Sequence, residues 1–366
     1  MQSNSAQTAT IQTKIIKIDP ISPDPQAIQE CADIIKAGGV VASPTETVYG
    51  LFADAFNPTA VAKIFAAKGR PSDNPLIVHI ATKEDATLVA SNIDQSSQVY
   101  IDNFWPGPLT LILPKHSNVP DQTAANLSTI GVRMPSHPVA QALIATSGTP
   151  LAGPSANTSG RPSPTNAQHV IEDLFGKVDC IIDAGTTSHG LESTVLDTGT
   201  STILRPGTIT LADLNQYGNV TPYTTAISPK TVDAPASPGQ KYKHYAPAGS
   251  TTLITGTSEA TVASTIINLA KEIPHGATVA IIITDNTAHF YKDIATQLEL
   301  ITISLGNKND PASLAHNLYN ALRTCDTKGA SHIFIEGYSW EQGDIYTSVM
   351  ERLAKASSYN IIHAPS

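Results

Sequence analysis

The sequence predicts an α/β protein with two unequal parts, a larger region of mixed strands and helices and a smaller region built on a parallel sheet. Its 366 residues exceed the roughly 100–200 that a single domain usually needs. Up to residue 207, short apolar strands and helices follow one another in irregular order. After residue 249 they alternate regularly, which is typical of parallel βαβ units.

In the first region, two helices carry clear end signals. Residues 27–39 have apolar side chains at helical spacing and end on a glycine pair. Residues 58–69 begin with proline and end with glycine, the usual asymmetry of helix ends. Short apolar runs predict strands at 40–44, 75–81, 109–114, 130–135, 150–156, 180–185 and 193–198. We therefore expect a mixed, twisted sheet flanked by helices.

The second region keeps one simple order to its end. Strands are predicted at 251–256, 278–284, 300–306 and 332–337, and helices at 258–272, from Thr287, at 311–325 and from Asp344. This order predicts a small doubly wound, Rossmann-like domain. No GxGxxG follows its first strand and no acidic residue stands at the expected distance, so a dinucleotide site is not supported.

Between the two regions lies a stretch of different character, residues 207–248, which is rich in Pro, Thr and Ser. Loops this long inside compact proteins are uncommon and tend to act as linkers or lids. The stretch ends in the basic, aromatic sequence KYKHY, which an inert tether would not need. The chain is thus predicted to have a flexible tail, a larger first domain, a linker or lid, and a C-terminal domain, over 1–13, 14–215, 216–248 and 249–366.

Composition and charge exclude several classes of protein. Hydrophobic residues make up 41 % and charged residues 14 %, which is ordinary for a globular chain. The net charge of −9 argues against a protein that coats nucleic acid or anionic membrane, although it permits a local basic pocket. The first dozen residues lack the features of a signal peptide. No apolar run reaches the ~18 residues that a membrane span needs.

The cysteines bear on the cellular compartment. Cys31, Cys180 and Cys325 are far apart in sequence and form no CxxC pair. This spacing indicates neither a disulfide framework nor a zinc ribbon. Reduced thiols suit a cytosolic compartment best, so we expect a cytoplasmic protein.

Polar segments at the ends of predicted strands and helices form the candidate site. Strand ends are where α/β sheets commonly bind ligands. Four cations recur in these segments, namely Lys68, Arg70, Arg133 and Arg205. If they converge, they form an anion pocket suited to phosphates or a carboxylate. The alternative is that each is a separate surface residue, and a lysine in the last turn of a helix needs no other explanation.

Several standard sites are not indicated, because their motifs are missing. No GxxxxGK[ST] is present, so an ATP site would have to differ from a P-loop. No GxSxG surrounds Ser155 or Ser193, which argues against a serine hydrolase. His79, His137 and His244 lack metal-ligand spacing, and no side-chain metal site is predicted.

The polar segments resemble a known domain, the YrdC-like domain. The resemblance is carried by PTETVYGL, KGRPSDNPLIVHI, WPGPLTLIL, VRMPSHP, GPSANTSGRPSPT, ESTVLD and LRPG. A further segment, SPGQKYKHYAP, is similar to the signature that links this domain to a second one, although Gln240 stands where a hydrophobic residue is usual. With order and spacing kept, nearly the whole chain resembles the two-domain form of the threonylcarbamoyl-AMP synthase family. That resemblance implies a nucleotidyltransferase.

The implied reaction joins L-threonine, bicarbonate and ATP into threonylcarbamoyl-AMP, with release of pyrophosphate and water. The product is the activated intermediate for N6-threonylcarbamoyladenosine in tRNAs that read ANN codons, and would pass to the tRNA threonylcarbamoyl transferase machinery. Mg2+ would be carried on the ATP phosphates as the only cofactor. Because the intermediates hydrolyse readily in water, a lid formed by the linker is physically sensible.

The resemblance also implies roles for individual residues. The family pairs a Lys-x-Arg with a distant Ser-x-Asn, represented here by Lys68, Arg70, Ser155 and Asn157. Lys68 and Arg70 would be catalytic, neutralising charge in the transition state. The ATP side would be lined by Arg70, Asn74, Thr129, Ser155, Asn157, Ser163, Arg205 and His244. The threonine side would be lined by Thr47, His79, Arg133 and Ser193, with the arginine suited to a carboxylate.

Two other functions stay open from the sequence. A non-catalytic module that binds double-stranded RNA or tRNA is one, because YrdC-like domains have been associated with RNA, but the acidic net charge weakens it. A carbamoyl transferase component is the other, although the acylphosphatase and zinc-finger segments of such proteins are missing here. No membrane partner is expected.

Overall fold

The computed structural model describes residues 11–223, 245–337 and 344–365. Within these ranges the chain forms a ten-stranded mixed sheet and a separate five-stranded parallel sheet, both flanked by helices. The predicted α/β fold with two sheets is confirmed. Most of the predicted tail and linker, including Gln240 and His244, lies outside the described residues. The boundaries of the four predicted parts stay predictions.

The first domain holds the larger sheet. Its strands are β1 (Lys14–Lys17), β2 (Val41–Ser43), β3 (Gly50–Asp54), β4 (Ile77–His79), β5 (Leu109–Pro114), β6 (Thr129–Arg133), β7 (Leu151–Gly153), β8 (Cys180–Asp183), β9 (Thr194–Asp197) and β10 (Thr202–Arg205). Its helices are α1 (Pro25–Lys36), α2 (Pro58–Lys68), α3 (Ala86–Val89), α4 (Gln95–Phe104), α5 (Asp121–Ala124), α6 (Pro138–Ser147), α7 (Ala167–Leu174) and α8 (Leu211–Leu214). The strand order is β1-β8-β2-β3-β7-β4-β6-β5-β9-β10. The sheet contains parallel pairs such as β4–β6 and antiparallel pairs such as β5–β6, so it is mixed.

Helix α2 carries a cation into the protein interior. Asn57 caps its start by accepting hydrogen bonds from two first-turn amides, and Pro58 occupies the first position. The helix ends at Lys68, after which Gly69 takes the left-handed conformation with φ of 60°. Lys68 is only 2 % exposed. The expectation that this lysine simply sits on a solvated helix end is therefore wrong.

The second domain holds the parallel sheet. Its strands are β11 (Ser250–Thr255), β12 (Val279–Ile283), β13 (Ile301–Ser304), β14 (His332–Glu336) and β15 (Ile361–His363), and its helices are α9 (Glu259–Glu272), α10 (Ala288–Gln297), α11 (Pro311–Thr327) and α12 (Ile345–Ala356). The strand order is β13-β12-β14-β11-β15, and each neighbouring pair is parallel. The predicted Rossmann-like arrangement is confirmed. The predicted helix starts, Thr287 and Asp344, are the N-cap residues of α10 and α12.

Two arginines of the second domain attach it to the first. Arg323 of α11 contacts the carboxylate of Asp173 at 2.9 Å and donates to the carbonyl of Pro162 at 2.6 Å. Arg352 of α12 donates to the carbonyl of Pro206 at 2.6 Å. Both arginines are buried. Because a buried guanidinium is costly unless it is paired, these contacts specify how α11 and α12 lie on the first domain.

The cysteines lie closer together than their sequence positions indicate. Cys31 of α1 and Cys180 of β8 are both buried, and their sulfur atoms are 4.0 Å apart as free thiols. Cys325 is also a buried thiol. Across the described ranges, no group of His, Cys, Asp and Glu residues is placed to hold a metal ion. Over those same ranges, no helix combines the length and the apolar character that crossing a membrane requires.

Gly190 provides a test of how the domains fit together. Its φ is 76°, and a Cβ atom there would lie 2.4 Å from the Cα of His316 on α11. Gly185 has a similar φ of 80°, but its Cβ would meet nothing within 4 Å. We expect Gly185→Ala to lower the free energy of unfolding by about 1 kcal/mol through backbone strain alone. Gly190→Ala should lower the free energy of unfolding by about 3 kcal/mol, because the added methyl group also pushes α11 away from the first domain.

Urea unfolding of both variants, followed by circular dichroism, measures this difference. The fluorescence of the chain's two tryptophans provides a second probe of the transition. An equal decrease in the free energy of unfolding of the two variants would contradict the close approach of α11 to Gly190.

Candidate active site

A cavity of about 720 Å³, counted with its open mouth, lies against β3, β4, β6 and β7 of the first domain. Most of the site residues predicted from the sequence line it, namely Thr47, Lys68, Arg70, His79, Arg133, Ser155, Asn157, Ser163, Ser193 and Arg205. The four cations therefore converge on one cavity, and they are not separate surface residues. Their individual roles stay predictions.

Two predicted residues, Asn74 and Thr129, are not among the described lining residues, and a third lies outside the described part of the chain. Asn74 is buried nearby, and its backbone carbonyl is 3.4 Å from the guanidinium of Arg70, but its side chain is not part of the lining. Thr129 begins β6, four residues before Arg133, and is also outside the lining. Strand geometry separates those two positions by roughly 13 Å. His244 lies outside the described residues.

Lys68 joins the two halves of the predicted Lys-x-Arg and Ser-x-Asn pairing. Its ammonium donates hydrogen bonds to the backbone carbonyls of Ser155 and Asn157. The hydroxyl of Ser155 in turn donates to the side-chain carbonyl of Asn157 at 2.5 Å. Burial lowers the pKa of Lys68 well below that of a free lysine, and the nearby charges of Arg70 and Arg323 add to this effect. An anion in the cavity would favour the charged form of Lys68.

Arg133 is already engaged on both branches of its guanidinium. Nη1 donates to the hydroxyl of Thr47 at 2.9 Å, and Nη2 lies 2.7 Å from a carboxylate oxygen of Glu46. Burial would raise the pKa of Glu46, but the charge of Arg133 and its hydrogen bond lower it below the usual value. The role of Arg133 in holding a substrate carboxylate stays a prediction. A carboxylate would have to share Arg133 with Glu46.

His79 is held as a neutral imidazole. Burial, together with the charge of Arg133, lowers its pKa to about 3. Its ring packs edge-on against Phe52, with ring centroids 4.9 Å apart. Nδ1 is buried without a hydrogen-bond partner among the described residues. His79 can therefore orient a substrate through a hydrogen bond, but it supplies no positive charge.

Arg205 and Ser193, which both line the cavity, are held together by hydrogen bonds. The guanidinium donates to the backbone carbonyl of Ser193 at 3.0 and 3.1 Å and to its hydroxyl at 3.0 Å. The same hydroxyl is 2.8 Å from that of Thr110. Arg205 is 6 % exposed, and its position is therefore set before any ligand arrives.

Sequence reasoning missed two lining groups, Glu192 and Tyr245. The Glu192 carboxylate accepts a hydrogen bond from Ser163 at 2.5 Å. Tyr245 is the last residue of the KYKHY sequence, and its ring lies 5.1 Å from that of Tyr319 on α11. Both residues were inside segments that the sequence analysis singled out. Nothing in those segments indicated that partners from the second domain would bring them to the cavity.

Comparison with known proteins identifies the family. A family model described as "Telomere recombination" (Sua5, YciO, YrdC) matches residues 33–207, and one described as "Threonylcarbamoyl-AMP synthase, C-terminal domain" matches residues 209–358. The threonylcarbamoyl-AMP synthase of Pyrococcus abyssi is 42 % identical over 340 residues, which cover 92 % of this chain and 95 % of that protein. This chain belongs to the threonylcarbamoyl-AMP synthase family. The synthase of Bacillus subtilis is 39 % identical over 348 residues, covering 94 % of this chain and 96 % of the relative.

A solved structure extends the similarity to the whole fold of the synthase family. The crystal structure of P. abyssi Sua5 complexed with L-threonine superposes with a TM-score of 0.86 at 41 % identity. The match covers 96 % of this chain and all of that one. The resemblance seen in the sequence segments is therefore confirmed for both domains.

Proposed function

We propose that this chain is an L-threonylcarbamoyladenylate synthase, a nucleotidyltransferase that works in the cavity described above. The amine of threonine takes up bicarbonate with loss of water, and the resulting carbamate oxygen attacks the α-phosphorus of ATP. The bond from that phosphorus to the β-phosphate oxygen breaks, and pyrophosphate leaves. The observation that carries the proposal is the convergence of Lys68, Arg70, Arg133 and Arg205 on one cavity in a chain of net charge −9.

The cavity offers two groups of residues for the two larger substrates. The ATP side is proposed to include Lys68, Arg70, Ser155, Asn157, Ser163 and Arg205, and the threonine side Thr47, His79, Arg133 and Ser193. Support comes from their common cavity and from the neutrality of His79, which suits a hydroxyl or amine partner. Positioning three substrates beside one another supplies a large part of the rate enhancement in such reactions.

Electrostatics explains the need for buried cations. Attack by a carbamate anion on a polyphosphate is hindered by like charge. Fixed ammonium and guanidinium groups in a cavity shielded from water offset that repulsion without reorganising during the reaction. Lys68 is fixed by the carbonyls of Ser155 and Asn157, and Arg205 by Ser193. Neither needs to form a covalent bond to the substrate.

Mg2+ is proposed to enter as part of the MgATP substrate. The carboxylate that lines the cavity, Glu192, is already bound by Arg352 and Tyr319. Mg2+ is commonly bound by substrate phosphates with few protein ligands. The donor set of hydroxyls and cations around the cavity fits an ion delivered on the phosphates better than one held by the protein.

A non-catalytic RNA-binding role is not favoured. Lys68, Arg133 and Arg205 are 2 %, 4 % and 6 % exposed, so they are shielded from the phosphate backbone of a large nucleic acid. Binding to such a backbone depends on accessible cations. The carbamoyl transferase alternative is likewise not favoured, since the curated relatives are named as synthases. Delivery of the product to a tRNA threonylcarbamoyl transferase and a cytoplasmic location are proposed with the activity.

Omission of single substrates tests the proposal. With MgATP, L-threonine and bicarbonate present, we expect pyrophosphate release and formation of threonylcarbamoyl-AMP. Leaving out threonine or bicarbonate should reduce the release to background, because no carbamate nucleophile then forms. Replacing threonine by glycine is a matched control for the side chain. Pyrophosphate release at full rate without threonine would contradict the proposed function.

A further inference from the structure

Glu192, the carboxylate found among the described lining residues of the cavity, is held by the second domain. The hydroxyl of Tyr319 on α11 lies 2.7 Å from Oε2 and 2.9 Å from Oε1 of Glu192. Nε and Nη2 of Arg352 on α12 are each 3.3 Å from Oε2. Glu192 is 6 % exposed, and both of its partners are buried. The carboxylate is therefore fixed from a direction that the first domain alone does not provide.

A negative charge at this place requires compensation. Burial alone would raise the pKa of Glu192, but Arg352 and Arg205, with hydrogen bonds from Ser163 and Tyr319, lower it to about 2. Glu192 is thus charged at neutral pH, beside a cavity proposed to bind a triphosphate. Arg352 offsets that charge, so that less of the positive charge of Arg205 is cancelled by its acidic neighbour.

Glu192 also connects two elements of the cavity wall. It accepts the hydrogen bond of Ser163, which lies with Ser155 in the loop between β7 and α7. Its chain neighbour, Ser193, accepts three hydrogen bonds from Arg205. A shift of Glu192 would therefore move Ser163 and Arg205 together. Both are on the proposed ATP side.

We propose that Tyr319 and Arg352 of the second domain are positioning residues of the synthase, which set Glu192 and thereby the ATP side of the cavity. This inference rests on the proposed function. It gives α11 and α12 a part in substrate binding, although neither Tyr319 nor Arg352 needs to touch a substrate. On the threonine side, Ser193 is the chain neighbour of Glu192, whereas the contact between Arg133 and Thr47 lies within the first domain and should not depend on Tyr319 or Arg352.

Tyr319→Phe tests the proposal with the smallest change. The variant removes the hydroxyl that binds Glu192 and keeps the ring that packs on Tyr245. We expect the KM for ATP to rise about tenfold, because a hydrogen bond to a buried charge is lost. The KM for threonine should rise less than the KM for ATP, because Arg133 and Thr47 keep their contact within the first domain. Circular dichroism and the melting temperature report whether the fold is kept.

Tyr346→Phe is the matched control. Tyr346 is on α12, and its hydroxyl donates to the carbonyl of Lys308, which is not in the cavity lining. This variant should keep both KM values, although it also loses a hydrogen bond donated by a tyrosine hydroxyl of the second domain. A second test, Arg352→Lys, keeps a positive charge beside Glu192 and Glu351 but loses the planar guanidinium, and should also raise the KM for ATP selectively.

The outcomes separate the inference from the proposed function. If the unaltered protein releases no pyrophosphate in response to threonine, the proposed function fails. If it does, but Tyr319→Phe leaves both KM values unchanged or raises both equally, the positioning role is overturned. An equal rise in the KM for ATP in Tyr346→Phe would also overturn it, because the effect would then be a general one of the second domain.

Discussion

Replacing Lys68 by methionine is expected to reduce pyrophosphate release by about 10²–10³-fold, the range seen when one fixed donor to a developing charge is removed. Lys68 lines the cavity and is the cation that joins the Ser155–Asn157 turn to the end of α2. Methionine has a similar length and no charge, so it fills the buried space. The fold should be kept, because burial already disfavours the charged form of this lysine.

The matched control is Lys63→Met. Lys63 is on the same helix, is exposed, and donates to the backbone carbonyl of Gly38 at 2.6 Å. Its replacement also removes a lysine-to-carbonyl hydrogen bond, but far from the cavity, and should leave turnover unchanged. Steady-state pyrophosphate release and thermal unfolding measure the two effects. Near-normal turnover in Lys68→Met would refute the catalytic role of this cation.

The lowered pKa of Lys68 adds a dependence on pH. As pH rises through the lowered pKa, Lys68 of the free protein loses its proton, and affinity for the ATP anion should fall. A free lysine would keep its charge to a higher pH. Titration of ATP binding in the absence of threonine isolates this effect from deprotonation of the threonine amine. In Lys68→Met, the affinity for ATP should no longer fall as pH rises through the pKa that Lys68 has in the unaltered protein.

The positions of the polar segments were predictable from sequence because strand ends of an α/β sheet meet at shared edges. Lys68, Arg133 and Arg205 accordingly end α2, β6 and β10 and face one cavity. The assignment of Thr129 to the same site came from the resemblance alone. Counting along β6 from Arg133 would have indicated the distance between the two residues.

Contacts between the domains could not be predicted in the same way. Arg323 and Arg352 are charged residues on helices, where composition alone predicts a solvated face. Their burial depends on Asp173 and Glu192, which lie more than a hundred residues earlier in the chain. A single sequence shows no spacing that would connect such pairs. For the same reason the role of Tyr319 could not be predicted, because its hydroxyl binds Glu192 across the domain interface.

Glu46 and Arg133 should be changed together, and the double variant Glu46→Gln/Arg133→Met is expected to raise the KM for threonine about a hundredfold. A charge-assisted hydrogen bond to the substrate carboxylate would be lost, which contributes about 1.5–3 kcal/mol before compensation. Arg133→Met alone would leave the buried carboxylate of Glu46 without its cation, which costs about 3–5 kcal/mol of stability. The double change avoids that penalty and keeps the net charge of the site.

Glu46→Gln alone provides the control, because it keeps Arg133 and removes the carboxylate that occupies one branch of its guanidinium. Threonine should then bind at least as tightly as to the unaltered protein, since its carboxylate no longer shares Arg133 with an anion. The KM for ATP should be similar in all three proteins. If Glu46→Gln weakens threonine binding as much as the double variant does, the carboxylate of threonine is anchored elsewhere. Glu46, and not Arg133, would then be the group that threonine requires.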